Sequence, residues 1–149
     1  MNKTAAFWDS SALVPLCVHE AASRHAQSQL RKFMPVVWWG SVVEVHSAIM
    51  RLHRFGGLND AETKGALTRL SLLGRTWREI LPTDQVRDMA IDILDSHDLR
   101  AADSFQLSAA LIWCQRRPAK RNFVCADQRL SNAANVVGFS VLELAPVTP

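Results

Sequence analysis

Cysteine is scarce in this chain, three residues in 149. Cys17, Cys114 and Cys125 are odd in number, sit among apolar neighbours and lack the paired spacing of a metal site. That excludes a disulfide framework and predicts no zinc site; the expectation is three reduced core thiols. Glycine and proline, six of each, are scattered, so nothing resembles a linker. There is also no block of like charge, no repeat and no low-complexity tract. A single domain over residues 1–149 follows, with a frayed tail at Ala145 to Pro149. Long apolar runs are missing too: Met1 to Trp8 carries one lysine and an apolar stretch too short for a signal-peptide core or a membrane span, which predicts a cytoplasmic protein with no membrane partner. The five histidines show no H-E-x-x-H spacing, and neither a G-x-S-x-G elbow nor a Ser–His–Asp arrangement is visible.

What is there suits a compact α/β domain. Apolar residues make up 48% of the chain, enough to fill one core. Seventeen Lys and Arg against fourteen Asp and Glu leave a charge of +3, a bias that permits a polyanionic partner without requiring one. Thr4 to Trp8 reads as a buried strand, stopped by the helix start Asp9-Ser10-Ser11, and Pro15 keeps that helix short. Ala22, Ala26, Leu30 and Phe33 recur at helical steps, predicting an amphipathic helix from Glu20 to Met34. Pro35 to Trp39 is a second strand. Gly40 and Ser41 then introduce a helix with Val42, Val45, Ile49 and Leu52 on its buried stripe, ended by Gly56 and Gly57. Asn59 or Asp60 caps the next helix, through Leu73, and Trp77 to Leu81 is a third strand. Thr83 or Asp84 caps a helix carrying Val86, Ala90 and Ile93; another, from Ala101 to about Arg116, is apolar on much of its circumference and reads as central. Asn122 to Ala126 is a fourth strand, Asp127 opens a short helix, and Ser140 to Leu144 is a fifth strand. This βαβα alternation predicts a parallel sheet covered by helices.

Four acids stand out, and each has an ordinary explanation. Asp9 and Asp127 sit where a short carboxylate caps a helix, Ser41 and Glu44 fit the S-x-x-E capping box, and Asp103 lies in a first helical turn. Taken together they say more. Strands of a parallel sheet point one way, so the loops after them collect along one edge, and all four acids fall there in this parse. Carboxylates gathered in one place raise one another's pKa values unless a cation neutralises them. An all-oxygen donor set suits Mg²⁺ or Mn²⁺, ions that bind through a few carboxylates and substrate phosphates, so a phosphate-ester substrate is expected.

Asp9-Ser10-Ser11-Ala12-Leu13, Glu44 early in its helix, Leu99-Arg100-Ala101-Ala102-Asp103 and Val124-Cys125-Ala126-Asp127 resemble, in order and spacing, the four acidic motifs of PIN-domain ribonucleases. The similarity spans nearly the whole chain and extends to the VapC-type toxins of toxin–antitoxin pairs. It implies a PIN-like three-layer α/β/α sandwich with a parallel sheet of about five strands. It also implies metal-dependent cleavage of single-stranded or looped RNA, a homodimer, and a cognate antitoxin whose C-terminal segment lies in a groove between helices. The helices Glu20 to Met34 and Asn59 to Leu73 are the candidate groove walls. Carried over by position, Asp9, Glu44, Asp103 and Asp127 are the catalytic, metal-binding acids, and Ser11 matches the hydroxyl residue that supports the first of them. Cys125 stands where the family often has Thr or Ser, which removes a good hydrogen-bond donor near Asp127. Gln106 stands where many relatives have His.

The chemistry expected is in-line hydrolysis assisted by one or two cations, leaving a 5′-phosphate and a 3′-hydroxyl. Phosphate contacts are expected from Arg51, Arg54, Arg100, Arg129 and the run Arg116 to Arg121, placed around the acidic edge. Trp38, Trp39 and Trp113 are read as core or interface packing in preference to base stacking. A phosphatase using Asp9 as nucleophile would want a second acid two residues on, where Ser11 stands. The other rival is a catalytically silent binding module whose acids are only caps.

Overall fold

The computed structural model describes residues 3–144; the expected tail at 145–149 lies outside them. Five strands form one sheet: β1 (Thr4–Trp8), β2 (Phe33–Trp38), β3 (Arg78–Ile80), β4 (Asn122–Cys125) and β5 (Ser140–Glu143). They lie in the order β3-β2-β1-β4-β5 and every pairing is parallel. The helices are α1 (Ser10–Cys17), α2 (Ser23–Lys32), α3 (Ser41–Arg54), α4 (Asp60–Gly74), α5 (Asp84–Ser96), α6 (Ala101–Trp113) and α7 (Gln128–Val137).

The two-residue period of the strands sorts the core into two halves. Phe7, Val36, Trp38, Phe123 and Cys125 point to the side covered by α5, α6 and α7, whose Val86, Ile93, Leu107 and Leu130 complete that cluster. Ala6, Trp8, Val37 and Val124 point to the other, against Leu13, Ala26, Ile49 and Leu70 of α1 to α4. Central strands β1, β2 and β4 buried between helices on both faces, with β3 and β5 as more exposed edges, make a three-layer α/β/α sandwich. Stacking reinforces one half: Phe7 lies on Phe123 at 5.4 Å and Trp38 on Phe105 at 5.3 Å between ring centroids. Trp38 is thus core, while Trp39 is exposed.

Element ends depart from expectation where local signals compete. Phe33 closes no helix; it starts β2, because Met34 precedes Pro35 and is pushed extended, and Phe33 and Met34 pair with Thr4 and Ala5. Helix α6 stops at Trp113 rather than near Arg116, since Gln115 and Arg116 take left-handed φ of 56° and 61° and the Arg116 N–H turns back to the Leu111 carbonyl at 2.8 Å. Pro15 has no N–H to give the Ser11 carbonyl, and α1 ends two residues later at Cys17. All three cysteines are free and buried.

Candidate functional site

The strand order reverses beside β1: the chain builds outward through β2 and β3, then returns to place β4 on the other flank of β1. At such a switch point the loops leaving two adjacent strands diverge to opposite faces and open a crevice at their carboxyl ends. Asp9 directly follows β1, and Asp127 follows β4 after Ala126. The starts of α3 and α6 bring Glu44 and Asp103 to the same edge.

Asp9 is 2% exposed. It caps α1 by accepting the Ser11 N–H at 3.1 Å, and the Ser11 hydroxyl donates to its carboxylate at 2.8 Å. That hydroxyl also accepts the Ala126 N–H at 2.9 Å. Ser11 therefore ties the end of β1 to the end of β4. Burial raises the Asp9 pKa to about 7; the Ser11 bonds oppose the shift and the charge of Asp127 adds to it. Asp127 caps α7 through the Leu130 N–H at 2.9 Å. Cys125 substitutes adequately as a backbone tie, its sulfur accepting the Asp127 N–H at 3.4 Å and its thiol reaching the Asp127 carbonyl at 3.3 Å. Burial also raises the pKa of that thiol, so it stays neutral beside the acids and offers no thiolate.

The S-x-x-E capping box is not formed. Gly40 is the N-cap of α3 with no side-chain cap bond, and Ser41 is already helical. The carboxylate of Glu44 instead accepts from the Ser10 hydroxyl at 3.0 Å and from the Gln106 amide at 2.9 Å. The same amide nitrogen donates to the Ser41 hydroxyl at 3.0 Å. Gln106, 1% exposed, noted in the sequence only as standing where many relatives have His or another residue, thus has a role at the site that the sequence reading did not give it. The signal was present: it stands three residues after Asp103, on the same face of α6. Its Oε1 is buried without a hydrogen-bond partner. The amide orientation follows from its neighbour, because a carboxylate only accepts. Ser10 was likewise given no role, having been read only as part of a helix start.

Burial raises the pKa of Glu44, and the Asp103 charge adds to the rise; burial raises that of Asp103, with Asp127 adding and Arg100 and Arg129 opposing. The four acids therefore feel one another in a row, Asp9 to Asp127 to Asp103 to Glu44. Among the described residues the ion pairs are His53–Asp60, Arg87–Asp84 and Arg87–Asp88, none at this edge. Nor do three His, Cys, Asp or Glu side chains there close tightly enough to cage an ion by themselves. Mg²⁺ does not need such a cage, because it keeps several waters and takes only one or two carboxylates directly. An all-oxygen, mutually repelling donor set without a paired side-chain cation fits a hard divalent ion.

Two groups of expected phosphate-binding cations fall elsewhere. The loop Arg116–Arg121 feeds the start of β4, the opposite edge of the sheet from the acids. Arg51 and Arg54 stand seven and ten residues beyond Glu44 on α3, roughly 10 and 15 Å along the helix axis. Arg100 and Arg129 remain at the acidic edge. On the α1–α4 side, a cavity of about 980 Å³ opens between α2 and α4, with Leu16, Leu30, Met34 and Leu73 in its lining and Lys3 and Arg69 beside them.

Sheet order and carboxyl-edge crevice define the PIN-like α/β fold. The solved structures to which the chain is similar have that fold. A toxin–antitoxin complex from Klebsiella pneumoniae gives a TM-score of 0.67 at 13% identity, covering 96% of this chain and 100% of that one. VapC20 of Mycobacterium tuberculosis, described as a sarcin-ricin loop cleaving toxin, gives 0.64 at 16% identity, covering 87% and 95%. FitAcB from Neisseria gonorrhoeae gives 0.61 at 15%, covering 91% and 96%. No family model and no curated protein sequence matches the chain. Among the described residues no helix is long and apolar enough to cross a membrane.

Proposed function

We propose that this chain is a Mg²⁺- or Mn²⁺-dependent endoribonuclease and the toxin of a toxin–antitoxin pair. The observation that carries the proposal is the placement of four carboxylates at the carboxyl edge beside the β1/β4 switch point, with no ion pair to any of them among the described residues. The silent-module reading requires all four to be caps, yet Glu44 and Asp103 accept no cap hydrogen bond. The likeness in fold to VapC20 supports RNA as substrate.

Asp9, Asp103 and Asp127 would hold the cation, with Glu44 completing the oxygen set. When bound, such an ion supplies Lewis acidity toward a phosphate ester and makes water acidic enough to act as a nucleophile near neutral pH. The chain's own contribution is positioning. Ser11 fixes the rotamer of Asp9, Ser10 and Gln106 grip both oxygens of Glu44, and Arg100 and Arg129 flank Asp103 as donors for phosphate oxygens.

The same reading assigns partners. The apolar cavity between α2 and α4, rimmed by Lys3 and Arg69, suits an antitoxin segment with apolar anchors and acidic flanks. Ile91 and Leu94, one turn apart and exposed on α5, support a homodimer. The deciding experiment is RNA cleavage with Mg²⁺ or Mn²⁺, comparing wild type with Asp103→Asn and Asp9→Asn while far-UV circular dichroism monitors the fold. Cleavage lost by at least about a hundredfold with the fold retained supports the site; two variants that cleave like wild type would falsify it.

A further inference from the structure

The edge of the sheet opposite the acids is basic, whereas the acidic edge also carries Arg100 and Arg129. Every strand begins at the basic edge, and the segments delivering the chain to β1, β2, β3 and β4 carry cations and no carboxylate. Lys3 precedes β1, and Arg31 and Lys32 close α2 immediately before β2. Arg75 lies between α4 and β3, and Arg116, Arg117, Lys120 and Arg121 lie between α6 and β4. All are exposed, and none is among the ion pairs of the described residues. The nearest carboxylate on these segments, Glu79, is one residue inside β3 and accepts from the Trp77 indole at 3.0 Å.

Helix dipoles explain a cation in a last turn, which accounts for Arg31 and Lys32. They do not explain Arg117, Lys120 and Arg121, which lie beyond α6 in a loop bent by left-handed residues at Gln115, Arg116 and Lys120. One of these side chains is held in place: the Arg121 guanidinium lies 5.4 Å from the centre of the Trp113 ring. Sheet order sets these groups in a row across β3, β2, β1 and β4, with neighbouring strands about 4.8 Å apart. A row of cations, mostly arginines and none in an ion pair among the described residues, matches a phosphodiester backbone, whose oxygens a guanidinium binds in bidentate fashion.

We propose that this rim is a second nucleic-acid contact surface, gripping the backbone of a folded polynucleotide on the far side of the sheet from the carboxylates. Five residues of β1 separate the two edges by roughly 17 Å, so a polymer touching both must wrap the domain. The surface deepens the ribonuclease reading but is measured apart from it, because binding needs no metal and no cleavage.

The experiment is fluorescence anisotropy in EDTA with a labelled RNA stem-loop and, separately, a labelled DNA duplex. Wild type is compared with the triple variant Arg116→Gln/Arg117→Gln/Lys120→Gln, the double variant Arg31→Gln/Lys32→Gln, and Arg100→Gln/Arg129→Gln at the acidic edge. The triple variant is expected to bind roughly tenfold more weakly and to lower the salt slope by about 2, while melting like wild type. That loss with RNA alone, or with both polymers, upholds the surface and says which polymer it accepts. Wild type that binds neither at low salt overturns it, as does binding weakened only by the Arg100/Arg129 variant. Should Asp103→Asn cleave normally while the triple variant still loses binding, the nuclease reading falls and the surface stands.

Discussion

Gln106 illustrates how one buried side chain can decide the chemistry of another. Its amide donates to both the buried Ser41 hydroxyl and Oε2 of Glu44, so one change removes a donor from each, while Ser10 still serves the other oxygen of Glu44. Such outer partners of metal-binding carboxylates commonly matter about 10–100-fold in metal affinity or activity. Gln106→Ala is therefore expected to weaken Mn²⁺ binding about tenfold by calorimetry, with a smaller effect on melting. Gln106→His, whose ring N–H can donate, should retain most of the affinity. If the alanine variant binds Mn²⁺ as wild type does, Glu44 needs no such support. The sequence showed Gln106 one turn after Asp103 but not its partners, because its contacts to Ser41 and Glu44 exist only once α3 is packed beside α6.

Helix starts were legible, since they depend on a few neighbouring residues. Asn59 accepts the Glu62 N–H at 2.8 Å while Glu62 returns to the Asn59 N–H at 2.9 Å, a complete capping box at the head of α4. Asn59→Ala is expected to destabilise the domain by about 1 kcal/mol in urea titration. Glu62→Ala should cost less, since it removes only the return bond. The same S-x-x-E logic failed at Ser41 and Glu44. There the side chains are claimed by α1 and α6, and a local box loses to long-range donors. Helix ends were less legible. The stop of α6 depends on left-handed Gln115 and Arg116, residue types that carry no such preference.

At the scale of the molecule, the four acids gather at the carboxyl ends of the strands, with Arg100 and Arg129 beside them, and a row of bases lies at the amino ends. The acidic end makes stability depend on pH. Asp9 has its pKa raised from 3.8 to about 7, so between those values the folded state keeps a proton that the unfolded chain has lost. Stability then falls as the pH rises through that window, by at most about 4 kcal/mol from this group. Glu44 and Asp103, also raised, push the same way. In EDTA the protein should melt at a higher temperature at pH 5 than at pH 7.5, and Asp9→Asn should flatten the difference. Saturating Mn²⁺ should raise the melting temperature more at pH 7.5, because metal and proton compete for the same oxygens. Equal metal-induced shifts at the two pH values would count against carboxylate ligation.

The sequence alone determined the alternation of strands and helices, the register-setting period of the apolar residues and the positions of three acids after strands and a fourth, Asp103, at the head of a helix. These are written in near-neighbour chemistry, in caps, periodicity and turn breakers. Only the tertiary structure decided that β4 lies beside β1, which makes neighbours of Asp9 and Asp127 across more than a hundred residues. It also sent Arg116–Arg121 to the edge away from the acids and delivered Gln106 to Glu44. The physical reason is that a parallel strand pairs with whichever partner the crossover helices can pack it against, and that choice depends on the burial of whole faces at once.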